Sequence, residues 1–365
     1  MTNAFYAIVL ATTLTLASSG AKAAVTVTCA GGKQLSKAIA TAMTTAKPGA
    51  SLEFRVTGNC VDDVVLPLGV QIYLIGVGSA ATGGYGASLE PATTSASALL
   101  LRGGWASVDN FYIIGKSGTT ADDAVEVNSS GFMRIKNSKV VANGASQAVG
   151  SWSSALAITN SVITGDKESA VMVATNGYLT ISADDGKSTN ITYTGSQYGQ
   201  AIGCYAGTIS GWTTGSGTIT IGPSTSTGIG ARGCQAQIGL GSTKGSVRIT
   251  QTKVGVIAKG GDIINLAGVA LSSNSDVAVE VSAGTVELDN TTISKPSAAA
   301  IGLSARRGGV IYFNNIYGTN SVSWTGSNTN FYNCRQGGHI YGASGNPTGG
   351  AASSGCLETS DIILK

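Results

Sequence analysis

Four of the five charged residues from position 122 to position 136 have the types and spacing that could bind and react with an acidic sugar. Arg134 and Lys136 are two residues apart, so in a β-strand both point away from the apolar residues with which they alternate. Asp122 and Asp123 precede them in the same segment. We expect the two cations to meet a sugar carboxylate, with the two aspartates nearby as catalytic partners.

Further polar side chains extend the same surface along the chain. Later segments align with this one when Ile158, Ile181, Leu288 and Phe313 are placed over Ile135. One outward row then reads Arg134, Ala157, Thr180, Glu287 and Tyr312, and the next reads Lys136, Thr159, Ser182, Asp289 and Asn314. From these rows we take Thr159, Thr180, Ser182 and Tyr312 as candidate glycan-binding residues. A solvated sheet face is the simpler interpretation, because Thr is a common strand residue.

The rows require a fold in which equivalent residues lie over one another, and a repeat in the sequence predicts it. The segments AVEVNSSGFMRIKNS, AVGSWSSALAITNS and AVMVATNGYLTISAD begin at Ala124, Ala148 and Ala170, 24 and 22 residues apart. Similar units begin at positions 255, 278 and 300. Reuse of one residue type at one phase of each unit is typical of a solenoid. Asn137, Asn160, Asn290 and Asn314 are suited to its left-handed corners.

One amphipathic helix precedes the strands. Leu35, Ile39 and Met43 recur every four residues, and Lys47-Pro48-Gly49 ends the pattern. Because an open solenoid end exposes unpaired backbone and core, we expect this helix to cover it. The fold class predicted is all-β, a right-handed parallel β-helix with an N-terminal capping helix.

The first 23 residues predict a signal peptide. An apolar run over residues 5–16 precedes the small-residue triplet Ala21-Lys22-Ala23. No segment reaches the roughly 18 apolar residues that a transmembrane helix needs. We divide the chain into the signal peptide (1–23), the β-helix with its cap (24–335) and a C-terminal cap or tail (336–365). The protein is expected to be secreted, to the medium, the periplasm or the cell surface, with no membrane span.

Six cysteines follow the leader, an even number that predicts disulfides in an exported chain. Their positions suggest three nearest-neighbour pairs: Cys29 with Cys60, Cys204 with Cys234, and Cys334 with Cys356. Cys204 and Cys234 share the frame Ala-x-Gly-Cys, so we expect them at stacked positions on consecutive coils. A zinc site is disfavoured because the chain has a single histidine.

The helix, the following P-G-x-x-L-x-F-x-V segment and the P-L-G-V-Q-I-Y-L-I-G segment resemble the first coil of the pectin-lyase-like β-helix superfamily. The resemblance covers most of residues 25–335. It implies the parallel β-helix and an association with polysaccharides, but no single reaction. Arg134-Ile135-Lys136 matches a polygalacturonase motif, yet no Gly-His-Gly lies between it and the aspartates. Lyases of this fold use Lys or Arg as the base, often with Ca²⁺ to neutralise the uronate. The resemblance therefore implies Ca²⁺ only if the protein is a lyase, and the cofactor is otherwise unknown.

Composition and charge limit the classes of partner that the protein can bind. Only 11% of the 365 residues are charged and the formal net charge is +3, which is too balanced for a nucleic-acid-binding stripe. We expect an extracellular polysaccharide as partner and make no prediction of the oligomeric state. The alternatives are a glycan-binding surface protein, a Ca²⁺-assisted polysaccharide lyase and a non-catalytic structural or adhesin-like protein. Trp105, Trp152, Trp212 and Trp324 could stack on sugar rings or pack at corners.

Overall fold

The computed structural model describes residues 23–30, 32–79, 81–117, 123–196, 198–294, 297, 299–314, 323–325 and 332–342. Within these ranges the chain forms 33 strands, every one of them paired in parallel with a strand of a neighbouring coil. The strands fall into three sheets that run along the solenoid, and two long strands, Ser51–Val61 and Thr218–Arg232, each continue from one sheet into the next. The predicted parallel β-helix is confirmed.

The bounds of the strands are as follows. The first sheet contains Ala23–Ala30, Ser51–Val61, Gln71–Gly76, Trp105–Asp109, Phe132–Lys136, Ala155–Thr159, Tyr178–Ala183, Thr208–Thr213, Gln235–Ile238, Ile263–Ala267, Thr285–Asp289, Val310–Asn314 and His339–Gly342. The second contains the end of Ser51–Val61, then Ala87–Glu90, Phe111–Ile114, Lys139–Val141, Val162–Gly165, Ser188–Tyr193, the start of Thr218–Arg232, Val247–Thr250, Ala270–Ser272, Thr292–Ser294 and Ser323–Thr325. The third contains Val64–Leu66, Leu99–Arg102, Val125–Asn128, Gln147–Trp152, Ser169–Ala174, Gln200–Tyr205, the end of Thr218–Arg232, Thr252–Lys259, Val277–Ser282, Ile301–Arg306 and Tyr332–Arg335.

Alternation of apolar and polar residues produces these strands, because successive side chains of a strand point to opposite faces. The inward positions form one continuous core. Ile135, Ile158 and Ile181 are directly opposed on consecutive coils and are fully buried or nearly so. Removal of such a side chain costs about 2–5 kcal/mol, so the inward rows fix the register of the outward ones.

The predicted helix is present as α1 (Gln34–Met43) and packs against the first strands of the first and third sheets. Leu35 and Ile39 are its buried residues. The buried Asp62 carboxylate accepts a hydrogen bond from the Ser36 amide at 2.7 Å and so anchors the first turn, whose amide groups lack partners within the helix. A short 3₁₀ helix, Thr82–Gly84, lies between the strands Gln71–Gly76 and Ala87–Glu90.

Asparagine corners connect the first and second sheets. Asn110, Asn137, Asn160 and Asn290 all have φ values between 46° and 60°, the left-handed region that asparagine tolerates better than most residues. The Asn137 amide donates to Asp109 Oδ1 at 2.9 Å, and Asn160 donates to Asp184 Oδ2 at 2.8 Å. The left-handed corners predicted at Asn137, Asn160 and Asn290 are confirmed, whereas the side chain of Asn314 lies outside the described residues.

Two of the three predicted disulfides are present. Cys29 and Cys60 join the first strand to the next coil with a Cα–Cα distance of 4.9 Å. Cys204 and Cys234 join two later coils with a Cα–Cα distance of 6.2 Å. Cys334 is buried in the third sheet, but Cys356 lies outside the described residues, so their pairing stays a prediction. The predicted leader and most of the predicted C-terminal cap also lie outside them.

Two predicted alignments are wrong, although the first three repeats align as expected, with Val125, Val149 and Val171 opposed. Cys204 is opposed by Ala231 rather than by Cys234, which lies at the corner beyond the strand. At the later repeat Val279 is opposed by Leu303, two residues beyond the expected Ile301. In both places the corner loops differ in length, and the inward apolar side chains set the register.

Candidate functional site

The outer face of the first sheet carries the two predicted rows. Arg134 is opposed by Ala157, Ala157 by Thr180, and Glu287 by Tyr312, as expected. The residues between Thr180 and Glu287, which the sequence left unassigned, are Ser210, Gln237 and Asn265. The second row passes from Lys136 through Thr159 and Ser182 to Trp212. Candidate residues from separate parts of the chain therefore share one surface.

An aromatic cluster lies at the start of this face. The Trp105 ring is 4.8 Å from the Tyr73 ring and 6.1 Å from the Phe132 ring, measured between centroids. These distances are within the range of favourable aromatic pairs. Trp105 and Phe132 are directly opposed on consecutive coils, and Phe132 precedes Arg134 by two residues on the same face. All three rings are partly exposed, so they offer an apolar surface next to a cation.

On the coil that follows this cluster, two outward positions are alanines, so the surface is recessed there by about the length of a side chain. Ala155 and Ala157 follow Phe132 and Arg134 on the next coil, and Tyr178 follows Ala155 on the one after. Tyr178 is 42% exposed. The coils that flank the alanines are about 10 Å apart, since neighbouring strands are separated by about 4.8 Å. We call this depression, lined by Phe132, Arg134, Ala155, Ala157 and Tyr178, the alanine trough.

Arg134 and Lys136 have different surroundings. Arg134 is exposed at the edge of the trough and forms no ion pair with any residue that the structure describes. Lys136 Nζ lies 3.6 Å from Asp184 Oδ2, two coils away. Arg134 is therefore available to a ligand anion, whereas Lys136 already faces a carboxylate.

The structure does not bring Asp123 to these cations. Asp123 lies two residues before a strand of the third sheet, is buried, and accepts a hydrogen bond from Trp152 Nε1 at 3.3 Å. Arg134 and Lys136 lie on the first sheet, beyond the corner at Ser129 and Ser130. Asp122 lies outside the described residues. A four-residue catalytic set is not assembled among the members that the structure places.

The candidate hydroxyl residues differ in exposure. Thr180 and Ser182 are partly exposed on the outer face below the trough. Thr159 is buried, with 6% of its surface exposed, and its hydroxyl lies 2.9 Å from that of Ser182. Ser182 and Thr180 can reach a ligand, and Thr159 orients Ser182.

The far end of the face is acidic. The Tyr312 hydroxyl donates to Glu287 Oε2 at 3.1 Å. Burial, and then the Glu287 charge, raise the pKa of Tyr312 to about 12. Burial, and then the same charge, also raise the pKa of Asp289 above its ordinary value. An anionic ligand is disfavoured here, so the candidate site for an acidic sugar is confined to the end that holds Arg134.

The acidic corners act as turn residues. Asp166 accepts hydrogen bonds from the Gly144 amide at 2.9 and 3.0 Å. Asp185 accepts bonds from the amide and hydroxyl of Ser216, which lower the pKa of Asp185. Within the described ranges, no three His, Cys, Asp or Glu side chains converge as they would around a metal ion.

Sequence reasoning missed Tyr73, Phe132 and Tyr178. The signal was available for Phe132, because it precedes Arg134 by two residues and must share its face. Trp105 was a candidate only by type, and the structure places it in the cluster. Of the other tryptophans, Trp152 contacts Asp123, Trp212 is 38% exposed on the second outward row, and the side chain of Trp324 lies outside the described residues.

No protein-family model and no curated protein matches this sequence. Solved structures with a related shape include an alginate lyase from Paenibacillus sp. str. FPU-7, 14% identical, with 92% of this chain and 99% of that one covered and a TM-score of 0.32. PfbA, a surface adhesin of Streptococcus pneumoniae, is 11% identical over 85% and 86% of the two chains, with a TM-score of 0.30. A family 28 exopolygalacturonase of Yersinia enterocolitica is 10% identical over 82% and 75%, with a TM-score of 0.29.

In the described part of the chain, no helix is both long and apolar enough to cross a membrane.

Proposed function

We propose that this protein binds an acidic extracellular polysaccharide on the outer face of the first sheet, with one sugar seated in the alanine trough. The observation that carries the proposal is the juxtaposition of Phe132 and Tyr178, as apolar walls, with the exposed guanidinium of Arg134. Aromatic rings pack against the apolar face of a pyranose, and a guanidinium forms paired hydrogen bonds with a carboxylate.

The hydroxyl residues extend the site along the face. Thr180 lies beside Tyr178 on the same coil, and Ser182 follows it. Their hydroxyl groups can donate to and accept from sugar hydroxyl groups. Two disulfides support an extracellular location, because such bonds persist mainly in oxidising compartments.

Binding without cleavage is the form of the proposal that the geometry supports best. Arg134 is available to a sugar carboxylate, but Lys136 faces Asp184, and Asp123 lies next to another sheet, two residues before its strand. A lyase must offset the carboxylate charge and also remove the neighbouring proton, which requires a second group at the same sugar. Among the catalytic candidates that the structure describes, Arg134 alone borders the trough.

A screen of acidic polysaccharides with and without Ca²⁺ tests the proposal. The full-length chain is incubated with alginate, polygalacturonate and neutral dextran, and both co-sedimentation and absorbance at 235 nm are measured. We expect binding to an acidic polymer without absorbance, and at least about tenfold weaker binding for Arg134→Ala, given the strength of charged bidentate contacts. If the wild type produces absorbance at 235 nm and Arg134→Ala does not, the protein is a lyase, and the proposal of binding without cleavage is wrong. No binding to any polymer would contradict the proposal and favour a structural role.

A further inference from the structure

A row of cations runs along the outer face of the third sheet, apart from the trough. Arg232, Lys259, Ser282, Arg306 and Arg335 are directly opposed on five consecutive coils, and Tyr205 precedes Arg232. We call these six residues the cationic column. It contains four cations and no acidic residue.

The column places like charges directly over one another twice. Arg232 is opposed by Lys259, and Arg306 is opposed by Arg335. Directly opposed like charges destabilise a sheet. Arg306 is neutralised by an ion pair with Glu280 from the neighbouring outward row. Arg232, Lys259 and Arg335 are exposed and form no ion pair with any described residue. An external anion would turn this repulsion into attraction.

The nearby Asp262 does not provide that anion. Its carboxylate is buried at the corner after Lys259 and accepts hydrogen bonds from the backbone amides of Cys234 and Lys259. It therefore faces inward, and the cationic side chains are left to solvent.

The row beside the column is flat at two glycines, after which it passes through Ile257 to Glu280, the partner of Arg306. Gly203 and Gly230 occupy the outward positions next to Tyr205 and Arg232. The carboxamide of Gln200 lies over them, since it occupies the space that a Cβ at Gly230 would take. A chain laid along this floor would meet the Tyr205 ring, which is 44% exposed, and the amide of Gln200. Both groups recognise hydroxyl-bearing rings.

We propose that the cationic column binds a linear acidic polysaccharide that lies parallel to the solenoid axis. Successive charges are about 4.8 Å apart where they are adjacent. Duplex DNA carries one negative charge per about 1.7 Å of axis and needs a denser basic surface. A polymer with one acid group per sugar matches the wider spacing. The proposal shares its ligand class with the proposed function but concerns another sheet.

The test compares two double variants of the full-length chain. Arg232→Gln with Lys259→Gln removes two charges from the column. Lys187→Gln with Lys244→Gln removes two exposed charges elsewhere and serves as the matched control. Affinity for alginate and polygalacturonate is measured from low to moderate salt. We expect the column variant to bind about tenfold or more weakly at low salt, with the slope of log affinity against log salt reduced by about two, and the control to bind as the wild type does.

Several results would overturn the proposal. One is equal affinity of the column variant and the control. Another is tighter binding of the wild type to single-stranded DNA, duplex DNA or phosphatidylserine vesicles than to the acidic glycans at the same salt. Unchanged far-UV circular dichroism and melting temperature verify that the column variant is folded. If Arg134→Ala abolishes glycan binding and the column variant does not reduce it, the trough proposal survives and the column proposal fails. If the column variant loses binding and Arg134→Ala does not, the column proposal survives and the trough proposal fails.

Discussion

Arg134 and Lys136 lie two residues apart on one strand, yet their neighbours give them different roles. Lys136 faces Asp184 through an ion pair whose groups are partly exposed, with side-chain exposures of 30% and 51%. Such pairs contribute little to stability, at most about 1 kcal/mol. Arg134 faces the trough and retains its hydrogen-bonding capacity for a ligand. Sequence alternation gives both side chains the same direction, but only the stacking of coils shows which one is paired.

Tyr312 provides a prediction at the scale of one side chain. Its pKa of about 12 is caused first by burial and second by Glu287. Since the folded state holds the phenol proton more tightly than the unfolded state does, stability should fall as the pH rises above 10.0. Glu287→Gln should lower the pKa of Tyr312 without restoring the ordinary value, because burial remains. Ring signals in NMR measure it, and Glu90→Gln, at an exposed site, is the control. An unchanged Tyr312 pKa in Glu287→Gln would contradict the assignment.

Asp262 provides a second prediction. Burial raises the pKa of its carboxyl, although backbone amides act in the opposite direction. Between 3.8 and the raised value the folded state binds more protons, so this group makes the free energy of unfolding fall as pH rises. Asp262→Asn cannot ionise and loses an acceptor, which costs about 1–3 kcal/mol.

Urea unfolding between pH 3.5 and 7 measures the effect of Asp262→Asn. The stability advantage of the wild type over the variant should shrink as the pH rises. An advantage that grows with pH would mean that the Asp262 carboxylate is stabilised by folding rather than penalised.

At the scale of elements, the corners and the inward rows decide the register. Asn137 has a φ of 47°, and its amide donates to Asp109 at 2.9 Å. Asn137→Ala should destabilise the fold by about 1–2 kcal/mol, because alanine is strained in the left-handed region. Asn137→Gly adopts that region without strain and should lose less. Denaturant midpoints measure the two variants, and a glycine variant less stable than the alanine variant would contradict this account.

The same rows explain how far the sequence predicts the fold. The regular coils at Ala124, Ala148 and Ala170 align as expected because their corners are similar in length. Corner insertions break the pattern elsewhere: Gln71 opposes Trp105, 34 positions later, whereas Ser51 opposes Gln71 only 20 positions later. A repeat frame read from residue types cannot measure such insertions, so the alignments at Cys234 and Ile301 failed.

The sequence predicts which side chains of the candidate site point outward, but not which of them come together. Strand parity correctly places Arg134, Thr180 and Tyr312 in one outward row. It does not show that a corner separates Asp123 from Arg134, because the sheet to which each strand belongs depends on the turn between them. It also does not show that Thr159 is buried, since its exposure depends on the side chains of neighbouring coils.

At the scale of the whole molecule, the solenoid offers long parallel surfaces. The first sheet changes along its length from aromatic and cationic, at Trp105 and Arg134, to acidic, at Glu287 and Asp289. The third sheet becomes cationic towards its end, at Arg306 and Arg335. Because neighbouring coils are about 4.8 Å apart, each surface presents one set of outward side chains about every 4.8 Å along the solenoid. Such a regular row suits an extended polymer.

The most direct test of the central claim fills the alanine trough. Ala157→Leu adds a branched side chain between Arg134 and Thr180, and Ala270→Leu makes the same change at a partly exposed strand position of the second sheet. Affinity for an acidic polysaccharide is measured by isothermal calorimetry for both variants. If a sugar occupies the trough, Ala157→Leu should weaken binding at least about tenfold, the effect of about 1.4 kcal/mol, while Ala270→Leu leaves it unchanged. Equal affinities of the two variants would contradict the claim.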